Sequence, residues 1–155
     1  MKIFYAQSLY HDTTHAHNPY GNEEIFRSNY FWVAEGLKRL LVFGESENLP
    51  EGPVRDLWKL ITNSGDKTFE VIYQYSNHRD LFLNSKHLTS PTDHLKLDLE
   101  LMHSAKFVIF PPNFRECDSC KVEYRICKEK KIPYVIARRD RKYGFCEFVE
   151  DKKDR

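Results

Sequence analysis

Short runs of hydrophobic residues alternate along the chain with segments in which hydrophobic positions recur at helical spacing. The runs predict buried β-strands over residues 3–6, 69–75, 107–110 and 132–137, with an edge strand over 145–149. The helical spacing predicts helices over residues 23–43, 53–62, 90–105 and 118–131. Strands that alternate with helices and are hydrophobic throughout are typical of a parallel sheet covered on both faces.

This pattern predicts a single α/β domain over residues 1–149, followed by a charged, frayed tail over residues 150–155. The expected architecture is a doubly wound, Rossmann- or flavodoxin-like sheet of four to five mostly parallel strands. In such folds a ligand binds beyond the carboxyl ends of the strands, so the loops after the strands are the segments to search. Neither a G-x-G-x-x-G nor a G-x-x-x-x-G-K-[ST] motif is present in the sequence.

The composition excludes several classes of protein. The 155 residues include 24 Lys and Arg against 23 Asp and Glu, and 14% of residues are aromatic. A net charge of +1 argues against general nucleic-acid binding, and the aromatic content argues against disorder. Hydrophobic runs shorter than a membrane span, together with a start that lacks a signal-peptide pattern, predict a cytoplasmic protein without membrane association.

The positive charges are concentrated in one part of the chain. Residues 121–142 contain nine basic and three acidic residues, a local excess of +6. Arg138 and Arg139 follow the last parallel strand, on the expected ligand side of the sheet, and are candidates to bind a phosphate. A solvated turn is the alternative interpretation of the same residues.

The four cysteines all lie in the last 40 residues of the chain. Cys117 and Cys120 form a C-x-x-C pair, which leaves a zinc site or a thiol-redox pair as a weaker hypothesis. A zinc site needs two further ligands at suitable spacing, and no second C-x-x-C is present. Reduced, buried cysteines are therefore expected, with no metal and no cofactor.

Two acids flank the predicted strand 107–110: Asp98 in the preceding helix and Glu123 in the following one. Glu123 falls within about two turns of the start of its helix, where the helix dipole favours a negative charge. Taken alone, each acid is equally consistent with a solvated helix face.

Three segments resemble the nucleoside 2-deoxyribosyltransferase-like superfamily, which includes deoxynucleoside 5′-monophosphate N-hydrolases. Residues 98–110 resemble its D-L-E-x-L-x-x-A-D-x-V-V segment, residues 117–124 its nucleophile element, and residues 132–136 its G-K-P-V-I strand. The opening residues 2–6 resemble K-I-Y-x-A-G. Departures include Lys106 in place of the usual Asp and Ser119 in place of the usual Gly.

The resemblance implies that the protein cleaves or transfers the N-glycosidic bond of a nucleoside or nucleoside 5′-monophosphate, with Glu123 as the carboxylate nucleophile. It further implies that Asp98 orients the sugar or assists the leaving base, and that a homo-oligomer, a dimer or larger, completes the site. Tyr5 is expected to hydrogen-bond Glu123 or the sugar. The expected substrate-binding residues are Gln7, Ser8, His78, Phe114, Cys117 and Ser119. The alternative is a non-catalytic protein that binds a nucleotide-derived ligand in the same cleft.

Overall fold

The computed structural model describes residues 2–6, 23–63, 70–73, 99–100, 102–116 and 118–151. Within these residues, two helices follow the first strand and one helix lies between the third and fourth strands. The elements in chain order are β1 (Lys2–Tyr5), α1 (Glu23–Phe43), α2 (Pro53–Thr62), β2 (Glu70–Tyr73), β3 (Phe107–Phe110), a 3₁₀ helix (Phe114–Glu116), α3 (Asp118–Lys130), β4 (Tyr134–Arg139) and β5 (Cys146–Val149). Residues 99–100 and 102–104 are also helical, inside the helix predicted over residues 90–105.

The five strands form one sheet in the order β2-β1-β3-β4-β5. The first four strands in this order pair in parallel, and β5 pairs antiparallel with β4. A connection of only six residues joins β4 to β5, too short for the crossover that a parallel pair requires. The structure therefore confirms an α/β fold with a mostly parallel, mixed sheet.

Each face of the sheet carries its own hydrophobic core. Successive side chains of a strand point to opposite faces, so Ile3 and Tyr5 enter one core while Phe4 and Ala6 enter the other. α1 and α2 cover the first face with Val33, Leu37, Leu57 and Ile61. α3 covers the second face with Cys120 and Cys127, which pack with Val108 and Phe110 of β3.

Two predicted boundaries differ from the structure for identifiable reasons. β4 begins at Tyr134 rather than at residue 132, and it extends through Arg139 because Arg138 and Arg139 pair with Glu147 and Cys146 of β5. The packed part of the chain also extends past the predicted start of the tail at residue 150. Asp151 is buried there by a side-chain contact described below, and residues 152–155 lie outside the described residues.

In the parts of the chain that the structure describes, no helix combines the length and hydrophobicity needed to cross a membrane.

Candidate active site

The direction in which successive strands are added to the sheet reverses between β2 and β3, on either side of β1. β1 is flanked by β2 on one side and by β3 on the other, so the connections from these strands leave in opposite directions. Pairing between the two central strands continues one residue past β1, since the backbone N–H of Ala6 donates to the carbonyl oxygen of Ile109 at 2.9 Å. In open α/β sheets, the crevice beyond the strand ends at such a point is the usual ligand site.

Glu123 lies beside this point, on the helix that follows β3. α3 begins at Asp118, so Glu123 is in its second turn and about 7.5 Å along the helix axis from its start. It follows Cys120 by three residues and precedes Cys127 by four, which places all three on the helix face that packs against the sheet. The side chain of Glu123 is 0% exposed. Among the described residues, Glu123 and Asp151 are the buried acids.

The negative charge of Glu123 affects its neighbour on the next turn. Burial raises the pKa of the Cys127 thiol to about 12, and the nearby Glu123 carboxylate adds to this rise. Cys127 is therefore a protonated thiol at neutral pH, with its sulfur 3.9 Å from the sulfur of Met102. On the side of Cys127, Glu123 therefore adjoins the hydrophobic core.

Tyr5 occupies the opposite face of the sheet from α3. Its ring is 1% exposed and packs in the core beneath α1 and α2, whereas Phe4 faces α3. Burial raises the pKa of the Tyr5 hydroxyl well above its ordinary value, so it stays protonated. The alternation of side chains along β1 places Phe4, rather than Tyr5, on the face of α3. The hydrogen bond expected from Tyr5 to Glu123 or to the sugar stays a prediction.

Phe114 is part of the hydrophobic core on the α3 face of the sheet. It lies in the 3₁₀ helix, is 4% exposed, and its ring centroid is 5.2 Å from that of Tyr124 and 5.5 Å from that of Phe110. Tyr134 extends the same aromatic cluster, 5.6 Å from Phe110. These ring contacts leave Phe114 almost no exposed surface, and its expected role as a substrate-binding residue stays a prediction.

A half-buried ion pair, absent from the sequence-based expectations, joins this aromatic cluster to the end of the described chain. Arg115 Nη2 lies 2.7 Å from both carboxylate oxygens of Asp151, and the Tyr124 hydroxyl donates to Asp151 Oδ2 at 2.7 Å. The carboxylate of Asp151 raises the pKa of Arg115 against the opposing effect of desolvation. The contact fixes the segment that leads into α3. A separation of 36 residues between Arg115 and Asp151 leaves no local sequence signal for it.

Arg138 and Arg139 lie at the carboxyl end of β4 but on opposite faces of the sheet. Arg138 Nε donates to Glu147 Oε1 at 2.8 Å. The guanidinium of Arg139 lies 4.9 Å from the ring centroid of Trp32 in α1. Arg138 shares the α3 face with Glu123, because it is two residues from Ile136, which packs there.

Five of the predicted site residues lie outside the described residues, namely Asp98, Gln7, Ser8, His78 and Cys117. Ser119 belongs to α3, and its side chain also lies outside the described part of the structure. The roles expected for these six residues remain predictions.

Three cysteines lie in the described part of the chain and all are buried: Cys120, Cys127 and Cys146. Among the described residues, no group of three or more His, Cys, Asp or Glu side chains is arranged to hold a metal ion. Cys117 lies outside these residues, so the hypothesis of a zinc or redox pair with Cys120 stays a prediction.

Comparisons of the chain with protein-family models, with curated proteins and with solved structures find no match.

Proposed function

We propose that this protein cleaves or transfers the N-glycosidic bond of a nucleoside or nucleoside 5′-monophosphate, with Glu123 as the carboxylate nucleophile. The observation that carries the proposal is the position of Glu123, a buried carboxylate in the second turn of the helix after β3, beside the point where the sheet reverses direction. Buried ionisable groups in such crevices are characteristic of catalytic sites. Residues 117–124 also resemble the nucleophile element of the deoxyribosyltransferase-like superfamily, and this resemblance implies that Glu123 is the nucleophile.

The strand order adds support at the level of the fold. The strand order 2-1-3-4-5 is the one found in flavodoxin-like folds, in which the crevice between β1 and β3 receives the ligand, although β5 is antiparallel here. Helices cover a hydrophobic core on each face of the sheet, which is consistent with the doubly wound architecture that we propose for the whole domain.

In the proposed reaction, a Glu123 carboxylate oxygen forms a bond to the anomeric carbon of the sugar as the bond from that carbon to the base breaks. The base leaves with the bonding electron pair and takes up a proton, for which Asp98 is the proposed donor. Water or the nitrogen of a second base then attacks the glycosyl ester and releases Glu123. A hydrophobic environment strengthens the electrostatic attraction between the carboxylate and the positive charge that develops on the sugar.

The substrate phosphate is the finer part of the proposal. Arg138 lies on the same face as Glu123, at the same edge of the sheet, and is the basic residue that we propose to contact a 5′-phosphate. To contact the phosphate, Arg138 would have to break its hydrogen bond with Glu147. A homo-oligomer that completes the site is proposed on the resemblance alone.

The test measures release of free base from a panel of nucleosides and their 5′-monophosphates by liquid chromatography. Glu123→Gln keeps the shape of the side chain and removes its charge, and we expect it to lower the rate at least about a thousandfold. Glu129→Gln is the matched control, because Glu129 is an exposed glutamate of the same helix. Intact-mass measurement of a quenched reaction should show a glycosyl adduct on the wild type and none on Glu123→Gln.

A wild-type protein that releases no base from any compound would overturn the proposal, as would a Glu123→Gln variant with undiminished activity. Circular dichroism of both variants distinguishes loss of the nucleophile from loss of the fold.

The second candidate function is a non-catalytic protein that binds a nucleotide-derived ligand in the same crevice. The full burial of Glu123 favours it, because a side chain with no exposed surface cannot contact a sugar unless the crevice opens. Calorimetry separates the two functions: a binder retains the nucleotide unchanged, and its affinity is insensitive to Glu123→Gln.

A further inference from the structure

The hairpin between β4 and β5 is held in one conformation by the carboxylate of Asp140. Oδ1 accepts hydrogen bonds from the backbone N–H groups of Lys142, Tyr143 and Gly144 at 3.0, 2.6 and 3.2 Å, and Oδ2 accepts one from Phe145 at 3.1 Å. These bonds lower the pKa of Asp140, so its carboxylate is ionised at neutral pH. Because four backbone N–H groups donate to the Asp140 carboxylate, the backbone of the hairpin loop is held in one conformation before any ligand binds.

The hairpin also rests on α1, on the face of the sheet opposite to α3. Trp32 Nε1 donates to the carbonyl oxygen of Gly144 at 3.0 Å. The guanidinium of Arg39 lies 3.8 Å from the centre of the Phe145 ring. Contacts with a long helix and an internal carboxylate therefore both restrict the movement of this loop, and its exposed side chains start from fixed backbone positions.

Basic side chains outnumber acidic ones around a cavity of about 450 Å³ at this hairpin. Its lining includes Arg138, Arg139, Arg141 and Lys142, together with Asp140 and Glu147. Glu147 is paired with Arg138, and Asp140 is engaged by the backbone. The positive charges of Arg139, Arg141 and Lys142 therefore remain available to an anion, and this volume is within the range of small-molecule sites.

Two exposed aromatic rings adjoin the cavity. The rings of Tyr143 and Phe145 stack with centroids 5.4 Å apart and an interplanar angle of 25°. Tyr143, which also lines the cavity, is 64% exposed, and Lys142 Nζ lies 5.1 Å from its ring centre. Exposed aromatic faces beside cations are the elements with which proteins stack nucleobases and bind the attached phosphates.

We propose that this hairpin is a second ligand site, which binds a nucleoside polyphosphate. The phosphates contact Arg139, Arg141 and Lys142, and the base stacks on the ring of Tyr143. The cavity is lined by residues of β4, β5 and their hairpin and by none of α3. It shares with the proposed glycosidic site only Arg138, which is paired with Glu147 and is not among the three cations assigned here to the phosphates.

A small polyphosphate fits these features better than an extended nucleic acid does. The chain as a whole carries a net charge of only +1, whereas proteins that follow a nucleic-acid backbone present an extended basic surface. The excess positive charge at the hairpin is confined to one cavity. Several phosphates on one nucleoside match the three cations of that cavity.

The test is calorimetric titration of the full chain with ATP, adenosine and inorganic triphosphate at about 150 mM salt, where surface charges are screened beyond about 8 Å. We expect ATP to bind more tightly than either fragment. Arg141→Glu/Lys142→Glu should weaken ATP binding at least about tenfold. Tyr143→Ala should weaken ATP binding about fivefold or more and leave triphosphate binding unchanged.

Arg125→Glu/Lys130→Glu is the charge-matched control, because it removes the same charge from exposed positions of α3. An equal loss of ATP binding in this control would show that only the net charge matters and would overturn the proposal. Undetectable ATP binding by the wild type, or equal affinity for ATP and triphosphate in wild type and Tyr143→Ala, would overturn it as well. Glu123→Gln should retain ATP binding, so the outcome does not depend on the proposed glycosidic activity.

Discussion

The ion pair between Arg115 and Asp151 makes the most direct prediction about stability. In Asp151→Ala, the two contacts to Arg115 at 2.7 Å and the hydrogen bond from Tyr124 at 2.7 Å are all lost. Removing one partner of a fully buried pair costs about 3–5 kcal/mol, and an exposed pair contributes about 0–1 kcal/mol. Here the Asp151 side chain is 6% exposed and that of Arg115 is 40% exposed.

Because water can reach the abandoned guanidinium, the expected loss lies between these limits, at about 2 kcal/mol. For a chain of this length that corresponds to a fall in Tm of about 4–8 °C. Urea unfolding followed by circular dichroism measures the loss, and a cycle with Arg115→Ala and the double variant isolates the coupling between the two side chains.

Glu147→Ala is the internal control, because the pair between Arg138 and Glu147 has both side chains exposed, at 53% and 42%. We expect it to change the free energy of unfolding by less than about 1 kcal/mol. Equal losses in Asp151→Ala and Glu147→Ala would refute the reasoning, since burial would then have no influence on the strength of the pair.

Three further predictions concern other parts of the fold. Gly36→Ala should destabilise the protein by about 1–3 kcal/mol in urea unfolding, because the added Cβ would lie 2.9 Å from Cβ and Sγ of Cys146; an unchanged midpoint would contradict this packing. The pKa of Cys127 rises from 9.0 to about 12 on folding, so the unfolded chain loses this proton first and stability should fall as the pH rises above 9. Cys127→Ala should reduce that fall, and an identical pH profile would argue against it. The pKa of Asp140 is lowered on folding, so its contribution should be present above pH 3.8 and be lost as the pH falls through the lowered value. The amide resonance of Tyr143 should report this change in the wild type and not in Asp140→Asn.

The parts of the fold that were predictable from the sequence are those that depend on local pattern. The hydrophobic run of residues 107–110 predicted β3 with its observed bounds, because all four residues are hydrophobic and buried. The other strands were predicted within about two residues, because charged residues lie at or near their ends. The observed bounds of α1 and α2 match the predicted ones, because helical spacing of hydrophobic residues and a proline at the start of α2 are local signals.

The features that the sequence did not predict depend on which element covers which face. Tyr5 and Phe4 lie on opposite faces because side chains alternate along β1. Which of the two faces α3 depends on where α3 packs, and no local pattern of β1 contains that information. Phe114 follows a strand, as a ligand-binding residue would, yet it is buried by rings from α3 and β3. The hairpin was recognised as basic, whereas its fixed loop depends on Asp140 accepting bonds from residues up to five positions away.

The antiparallel strand β5 has a consequence for the order in which the protein assembles during synthesis. It carries the chain from the hairpin back along β4 and ends two residues before Asp151, which then contacts Arg115. The ion pair that anchors the segment before α3 therefore uses a residue that follows all five strands. A nascent chain that has emerged only through β4 contains Glu123 but not the carboxylate that holds the preceding turn. This ion pair can therefore form only after all five strands have been synthesised.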